Sequence, residues 1–327
     1  MYFTYLRKRK EMFAFMNVKT AKKTTKRGRF TVAELQDYSL LALPVLLVFI
    51  FSYLPMFGII IAFKNYRYDL GIFGSKWVGF DNFRFFFESD SFLRITWNTL
   101  SMNFLFIVLG TAASIFVAIM LFYINSRKAT KVYQTMMITP HFVSWVIAAY
   151  VLYAFLSPKY GLLNGLRTAL GMEKVDWYSE AKYWPCILVI ANIWKTIGMN
   201  SVMYYASLMG IDSSMFEAAE IDGAGKVKMI IYIIIPSLVP IITILTIMSI
   251  GNIFRADFGL FYQLPRNIGL LYKTTDVIDT FIFRTMREIG DMGMSSAVGL
   301  MQSFVGLVLV LLTNYVTKKI DSDNALF

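Results

Sequence analysis

Residues able to carry enzyme or metal chemistry are scarce in this sequence. It contains one histidine and one cysteine, so a zinc-type site, which uses several such ligands, is not expected. His141 stands three positions before Ser144, but no third group completes the arrangement that activates a serine nucleophile. Cys186 begins an apolar run, where a free thiol packs as a small apolar group. The sequence therefore predicts no catalytic residue, no metal site and no cofactor in this chain.

A glycine-containing stretch at residues 223–226 superficially resembles a phosphate-binding loop. That loop needs a further glycine at position 220 and Ser or Thr at position 227. Glu220 and Val227 occupy these two positions. The chain is therefore not expected to bind ATP by this route or to be an enzyme, and any energy input has to come from another subunit.

The composition is that of a helical membrane protein. Hydrophobic residues make up 57% of the 327 positions and charged residues 16%, the mean hydropathy is +0.56, and apolar runs of membrane-spanning length recur. The net charge is +11, but ten of the 32 basic residues fall in the first 37 positions. There they suit anionic lipid, so no nucleic-acid partner is expected.

The hydrophobic pattern predicts an all-α fold with six transmembrane helices. The predicted spans are residues 39–63, 99–124, 132–156, 184–209, 229–254 and 295–316. They divide the chain into a basic tail (1–37), a first span with an aromatic, interfacial outer loop (38–98) and a transmembrane core (99–327). The basic tail and the basic residues of the short 125–131 connector favour cytoplasmic amino and carboxyl termini.

Polar side chains interrupt several of these spans. A charge at mid-membrane costs roughly 2.5–3.5 kcal/mol on insertion scales, so it normally faces a partner or a water-filled cavity. Lys195 lies halfway along its span and shares a helix face with Asn192. We predict a central solute pathway lined by Trp145, Asn192, Trp194, Lys195, Asn200, Tyr204, Asn252, Arg255 and Asp257. The alternative is structural, with Asn side chains tying helices together and aromatic residues packing.

A polar loop at residues 211–228 separates the fourth and fifth spans. Ser214 is predicted to cap a short helix and Glu217, three residues later, to complete a capping box. Gly223 and Gly225 would let the backbone turn out of that helix. The predicted orientation places this helix in the cytoplasm.

The same loop carries a family resemblance. Glu217-Ala218-Ala219, three residues, Gly223, nine residues and then Ile233-Ile234-Ile235-Pro236 resemble the EAA signature of ABC-importer permeases, usually written EAA-x3-G-x9-I-x-L-P. Only the Leu is replaced, by Ile235. The resemblance implies the type I importer fold, with the EAA segment as a cytoplasmic coupling helix.

In that family the coupling helix docks in a groove on an ATP-binding subunit. The resemblance assigns this contact to Glu217, Ala218, Ala219, Asp222 and Gly223. Glu217 would meet a basic residue of the ATPase, the two alanines keep the face small, and Gly223 permits the turn. ATP-driven closure of two such subunits would then rock the membrane halves between inward-facing and outward-facing states.

Three further segments indicate the solute. Residues 53–64, 77–80 and 256–259 are similar to carbohydrate importers, most of all to those for oligosaccharides and polysaccharide fragments. The resemblance implies an extracytoplasmic solute-binding protein, a second homologous permease, two ATPase copies and a location in the bacterial plasma membrane. Trp145, Trp194 and Tyr204 would then be stacking platforms for sugar rings, and Lys195 with Arg255 could favour an anionic sugar such as a uronate.

Two alternatives remain open from the sequence. One is a permease of the same fold for a non-sugar solute, and the other is a stand-alone secondary transporter, which would leave the EAA spacing without a role. The paired acids Asp276 and Asp279 lie in a predicted outer loop, where solvation is their expected state.

Overall fold

The computed structural model describes residues 32–320, with side chains for residues 38–319. Most of the predicted basic tail lies outside the described residues. The chain divides into two compact units at Phe57 and Gly58. In the described part of the first unit, helix α1 (Val32–Val48) passes into a π-helical turn (Phe49–Tyr53). A 3₁₀ helix (Leu54–Phe63) follows and contains the boundary between the two units.

The second unit is helical apart from one small hairpin. Its strands are β1 (Lys64–Asn65) and β2 (Lys76–Trp77), which pair antiparallel with Lys64 opposite Trp77. Its α-helices are α2 (Gly71–Gly74), α3 (Asp81–Phe87), α4 (Phe92–Phe122), α5 (Arg127–Ile138), α6 (Trp145–Leu156), α7 (Leu162–Ala169), α8 (Trp184–Leu208), α9 (Ser213–Ile221), α10 (Lys226–Met229), α11 (Ile235–Gly251), α12 (Phe258–Gln263), α13 (Tyr272–Thr275), α14 (Ile278–Arg284) and α15 (Met292–Ile320). π-Helical turns join α10 to α11 (Ile230–Ile234) and follow α14 (Thr285–Ile289).

The prediction of an all-α membrane fold is confirmed. Within the described residues, five continuous helical segments are long and apolar enough to cross a membrane: Tyr38–Phe63, Phe92–Phe122, Ala181–Leu208, Lys226–Gly251 and Met292–Lys319. The remaining predicted span, the third, is a bent pair, Arg127–Phe142 and Trp145–Leu156, with an angle of 98° between its halves.

The break in this span has a local cause. Pro140 lies in a single 3₁₀ turn (Thr139–Phe142), because proline offers no amide hydrogen to continue the α-helix. The Val143 amide donates to the Pro140 carbonyl at 3.1 Å. Ser144 then starts the second half, since its hydroxyl accepts from the Ile147 amide at 3.3 Å.

Helices α4 and α8 form the centre of the core, and α8 also lies directly against the end of α5. Gly198 makes the second contact possible, because a Cβ at this position would lie 1.9 Å from the Met137 carbonyl oxygen. Buried side chains at one end of these helices, among them Tyr204, Leu208 and Ile234, form one apolar cluster. At the other end, Trp184 and Leu188 pack with residues of the 252–291 segment.

The 252–291 segment is folded, contrary to the expectation of a solvated loop. Asp276 is only 1% exposed and its carboxylate accepts from Arg284 and, at 3.3 Å, from Arg94 of α4. Asp279 is half-buried, and this desolvation raises the pKa of its carboxyl group. It accepts from the Ala256 amide at 2.7 Å. The expectation that both acids are solvated is therefore wrong. Asp276 is buried, Asp279 is half-buried, and each accepts hydrogen bonds from groups distant in sequence.

Candidate solute cavity and coupling helix

A cavity of about 440 Å³ lies between α4, α8 and α11. We call it the central cavity. Its polar lining residues are Asn103 and Thr111 of α4, Asn192, Thr196, Asn200 and Tyr204 of α8, and Ser249, Asn252 and Arg255 at and beyond the end of α11. The volume is within the roughly 300–1,000 Å³ typical of ligand pockets. Three different membrane-length helices therefore contribute hydrogen-bonding groups to one space.

The polar stripe of α8 is the most regular wall. Asn192, Thr196 and Asn200 follow one another at intervals of four residues and so lie on one face of the helix. Thr196 donates to the Asn192 carbonyl at 2.8 Å. Between residues 32 and 320, the side-chain amides of Asn192 and Asn200 have no protein hydrogen-bond partner, and both residues are half-buried. Each amide therefore presents a donor and an acceptor to the contents of the cavity.

The end of the cavity nearest the turn after α11 is held by side chains from α4 and α15. Asn103 donates to the carbonyls of Ile253 and Arg255 at 2.8 and 3.0 Å. Gln302 of α15 donates to the Phe254 carbonyl at 2.7 Å. The Arg255 guanidinium donates to the Ser303 hydroxyl at 2.9 Å. The turn after α11 is thus held in place, and Arg255 is the one charged residue among those that line the central cavity in the described structure.

The structure brings five of the nine predicted pathway residues into the central cavity. They are Asn192, Asn200, Tyr204, Asn252 and Arg255. The other four, Trp145, Trp194, Lys195 and Asp257, are not part of its lining. Their role in solute passage stays a prediction, and the described contacts give three of them a different environment.

Lys195, Trp145 and Asp257 form a polar contact at the break in the third span, which we call the break clasp. The Lys195 ammonium donates to the Val143 carbonyl and lies 4.8 Å from the centre of the Trp145 ring. The Trp145 indole in turn donates to the Asp257 carboxylate at 2.7 Å. The other oxygen of Asp257 accepts from the Leu260 amide at 3.2 Å and caps α12. The clasp therefore joins α8, the break and α12 through one cation and one anion.

Trp194 lies in a second space, of about 440 Å³, on another side of α8. Its walls include Leu152, Ile190 and Leu264, and they are almost entirely apolar. Few groups there could hydrogen-bond to sugar hydroxyls. The position of Trp194 therefore suits packing against lipid or a neighbouring helix better than stacking on a polar solute.

Four polar lining residues were missed by sequence reasoning, namely Asn103, Thr111, Thr196 and Ser249. Thr196 could have been found, because it falls midway between Asn192 and Asn200 on the same helix face. Asn103 and Thr111 are eight residues apart, about two turns of α4. The signal in α4 was present but was hidden by the strong apolar character of that span.

The loop between the fourth and fifth spans forms helix α9, as predicted, but its start differs from the prediction. Asp212, not Ser214, is the N-cap, and its carboxylate accepts from the Ser214 amide at 3.0 Å. This hydrogen bond lowers the pKa of Asp212. The predicted capping box of Ser214 and Glu217 is therefore wrong. Asp212 is an equally good cap, and it is the extended residue directly before the helix.

The end of α9 explains the glycine of the signature. The Ala224 amide donates to the Ala219 carbonyl at 2.8 Å, and the Gly223 amide donates to the Glu220 carbonyl at 3.0 Å. This pair of bonds is a Schellman motif, which requires a left-handed residue at the position after the C-cap. Gly223 has φ +73°, a conformation that other L-residues adopt at a cost of roughly 1–2 kcal/mol.

Helix α9 is anchored on one face and exposed on the other. Phe216 packs 5.5 Å from the ring of Phe122, at the end of α4. Glu217, Ala218 and Ile221 lie on the opposite face and are exposed, Ile221 by 87%. In the described part of the chain, the Glu217 carboxylate forms no hydrogen bond and no ion pair. Asp222 and Gly223 are exposed as well, and Ala219 is half-buried.

A match to a family model identifies the family to which this chain belongs. Residues 110–322 match the model of the binding-protein-dependent transport system inner membrane component, a range that includes α8, α9, α11 and α15. The chain belongs to this family. It is the multi-pass inner membrane permease of an ABC importer, a family without a cofactor in which ATP hydrolysis belongs to a separate subunit. The family resemblance expected from residues 217–236 is thereby confirmed.

Individual relatives resemble the permease along most of its length. Protein LplB of Bacillus subtilis (strain 168) is 34% identical over 285 residues, 87% of this chain and 89% of LplB. The polygalacturonan/rhamnogalacturonan transport system permease protein YteP of the same organism is 31% identical and covers 92% of this chain and 94% of YteP. A solved structure of a bacterial alginate ABC transporter in complex with an alginate pentasaccharide-bound periplasmic protein has a chain with a TM-score of 0.79 and 32% identity. It covers 88% of this permease and 96% of that chain.

Proposed function

We propose that the permease moves an oligosaccharide or a polysaccharide fragment through the central cavity. The observation that carries this proposal is the cavity itself, in which three spans present amide, hydroxyl and guanidinium groups to a space of about 440 Å³. Such groups suit the hydroxyl pattern of a sugar. The relatives named for polygalacturonan/rhamnogalacturonan and for alginate transport support the same class of solute.

The proposal includes the way in which energy reaches the cavity. Helix α9 is the contact with an ATP-binding subunit, through the exposed face of Glu217, Ala218 and Ile221. Phe216 and the packing of α9 on the ends of α4, α8 and α11 would pass a displacement of α9 to the helices that line the central cavity. Two ATPase copies, a second homologous permease and a solute-binding protein complete the transporter.

The connectors of the second unit sort into two sides, as the proposed topology requires. The 123–126 connector and α9 are neighbours, since Lys226 lies 5.5 Å from the ring of Tyr123. On the other side, Arg94 pairs with Asp276 and Thr274 donates to the Ala181 carbonyl. With the amino terminus in the cytoplasm, α9 faces the ATPase and the 157–183 and 252–291 segments face outward.

A reconstitution experiment tests the solute and the energy source together. The permease is co-purified with its partners, placed in liposomes with the solute-binding protein outside, and offered labelled oligosaccharides with ATP inside or without it. We expect uptake only with ATP. Asn192→Ala combined with Asn200→Ala should reduce uptake at least tenfold, while Ile190→Ala, on the side of α8 that faces the apolar second space, should not. Uptake without the ATPase would identify a secondary transporter, and uptake of a non-sugar solute alone would overturn the solute class.

A charge reversal tests the coupling helix separately. Glu217→Lys should abolish co-purification of the ATPase, because it places a cation where a basic groove residue is expected. Glu173→Lys makes the same change at an exposed residue of the 157–183 segment and should leave co-purification unchanged. If Glu217→Lys still purified with the ATPase and transported normally, α9 would not be the contact.

A further inference from the structure

A second polar pocket lies apart from the central cavity, between α6 and the segment that ends α12. Its volume is about 230 Å³. Tyr150 and Tyr153 of α6 form one wall, and Tyr262, Gln263, Arg266 and Asn267 form the other. We call it the outer pocket. It shares no lining residue with the central cavity.

The backbone of the outer pocket is in an unusual conformation. Arg266 and Asn267 have φ +57° and +51°, and they are the only non-glycine residues with positive φ among residues 32–320. Left-handed L-residues cost roughly 1–2 kcal/mol each, and asparagine less than most. Tyr272 holds the turn by donating to the Asn267 side-chain oxygen at 2.8 Å. The backbone N–H of Asn267 donates to the Tyr262 carbonyl at 3.2 Å. Strained residues of this kind, fixed by their surroundings, concentrate at ligand sites.

The Arg266 side chain is placed by an aromatic ring and not by an acid. Its guanidinium lies 4.4 Å from the centre of the Tyr153 ring. In the part of the chain that the structure describes, Arg266 makes no side-chain hydrogen bond and no ion pair, and no acidic residue lines the outer pocket. A guanidinium stacked on a ring keeps its N–H groups free at the edge, where they can bind a carboxylate through two parallel hydrogen bonds.

We propose that the outer pocket binds one carboxylate-bearing ring of an oligosaccharide before it enters the central cavity. This inference rests on the proposed function as a sugar importer and on the orientation that places the pocket outside. Tyrosine rings offer faces for a sugar ring, and the amides of Gln263 and Asn267 offer partners for its hydroxyls. The volume is below the roughly 300 Å³ at which pockets for larger ligands begin, so it suits one ring and not a chain.

A carboxylate on a partner protein could also reach Arg266. The lining favours the sugar, because three tyrosines and two amides surround the single cation in a concave space. A protein side chain would need only the cation. Direct binding of sugars by variants of Arg266 distinguishes a sugar carboxylate from a protein carboxylate.

Direct binding measures the proposed contact. The complete transporter, without the solute-binding protein, is placed in lipid nanodiscs and titrated in a calorimeter with trigalacturonate and with its fully methyl-esterified form. We expect the acid form to bind at least tenfold more tightly than the ester, because the ester cannot form the charged hydrogen bonds. Arg266→Gln should remove this preference. Lys159→Gln should not, although Lys159 also stacks on a tyrosine, 5.2 Å from the ring of Tyr160, because it lies outside the outer pocket.

A second variant keeps the test sharp if Arg266→Gln assembles poorly. Tyr150 is 68% exposed, so Tyr150→Ala should fold normally and weaken both the acid and the ester. If Arg266→Gln keeps the full preference for the acid, the proposal is wrong. If Arg266→Gln binds sugar normally but loses affinity for the solute-binding protein, the pocket is a protein contact and the proposal is again wrong.

Uptake by the wild-type transporter distinguishes failure of this inference from failure of the proposed function. When oligosaccharides are imported but neither Arg266→Gln nor Tyr150→Ala changes binding, only the outer pocket is refuted. When the wild-type transporter imports no oligosaccharide at all, the proposed function fails and this inference fails with it.

Discussion

Gly198 provides the most direct test of how α8 is positioned. An alanine there would place its Cβ 1.9 Å from the carbonyl oxygen of Met137 and 2.6 Å from the amide nitrogen of Ile138. Both neighbours are backbone atoms, so no side chain can rotate away. Since real Cβ contacts are essentially never shorter than 3.0 Å, α8 and the end of α5 would have to separate by at least about 1.1 Å.

The expected cost follows from two opposing effects. Overpacking of a tight contact costs roughly 1–3 kcal/mol, whereas glycine to alanine within a helix gains about 0.5–1 kcal/mol. We therefore expect Gly198→Ala to lower the free energy of unfolding by about 0.5–2 kcal/mol. The displacement would also move Asn192 and Asn200 with α8, so uptake should fall further than the amount of folded protein.

Unfolding in mixed micelles titrated with SDS, together with uptake per folded molecule, measures both effects. Gly299→Ala on α15 is the matched control, because a Cβ there meets no atom within 4 Å and should leave stability equal or slightly higher. If Gly198→Ala were as stable as Gly299→Ala and transported at the wild-type rate, the close approach of α8 to Met137 would not exist.

Three other changes test separate features. Gly223→Val should weaken co-purification of the ATPase, because valine in the left-handed region costs roughly 1–2 kcal/mol. Gly223→Asn should retain more of the ATPase. Equal binding by both variants would contradict the Schellman motif at the end of α9. Lys195→Met should lower the free energy of unfolding in SDS by about 1–3 kcal/mol, because it leaves the Val143 carbonyl unpaired. Lys195→Gln should restore part of the loss. A Lys195→Met variant as stable as the wild type would show that the break clasp does not stabilise the protein. The raised pKa of Asp279 means that its contribution to stability declines as the pH rises from the ordinary pKa of an Asp carboxyl group, about 3.9, through the folded pKa. Asp279→Asn, which keeps an acceptor for the Ala256 amide, should therefore make thermal stability fall less over this pH range than in the wild type, and parallel pH profiles would show that the group is not buried.

The sequence predicted the spans well because the membrane imposes a simple rule. A helix has to be apolar for about 20 residues, and five of six predicted spans overlap continuous membrane-length helices. The break in the third span was harder to predict from the sequence. Pro140 marked a disturbance, but the 98° bend also involves Ser144, which starts a new helix, and the Val143 carbonyl accepts from Lys195, which follows it by 52 residues.

The 252–291 segment shows the limit of reading charge from sequence. Asp276 and Asp279 resembled solvated loop residues, and nothing local indicated that Arg94, 182 residues earlier, would pair with Asp276. Burial of Leu260, Leu271 and Ile278 turns the segment into part of the core. A connector of this length without structure is uncommon in compact proteins, and that length was the one sequence signal against a solvated loop.

The candidate site was predictable to the extent that it follows helix periodicity. Asn192 was predicted because it shares a helix face with Lys195, and Asn200 because it belongs to the polar stretch that follows. Lys195 itself contacts the break clasp and does not line the central cavity. A difference of a few residues thus separates a wall of the cavity from a structural contact. Only the position of the neighbouring helices decides between the two.

The break clasp has a consequence for synthesis at the ribosome. The carbonyl of Val143 emerges 52 residues before the ammonium that satisfies it. At roughly 5–20 residues per second, this interval lasts about 3–10 seconds. The Val143 carbonyl is therefore synthesised before the ammonium that satisfies it, and the break clasp can close only after the fourth crossing has been made.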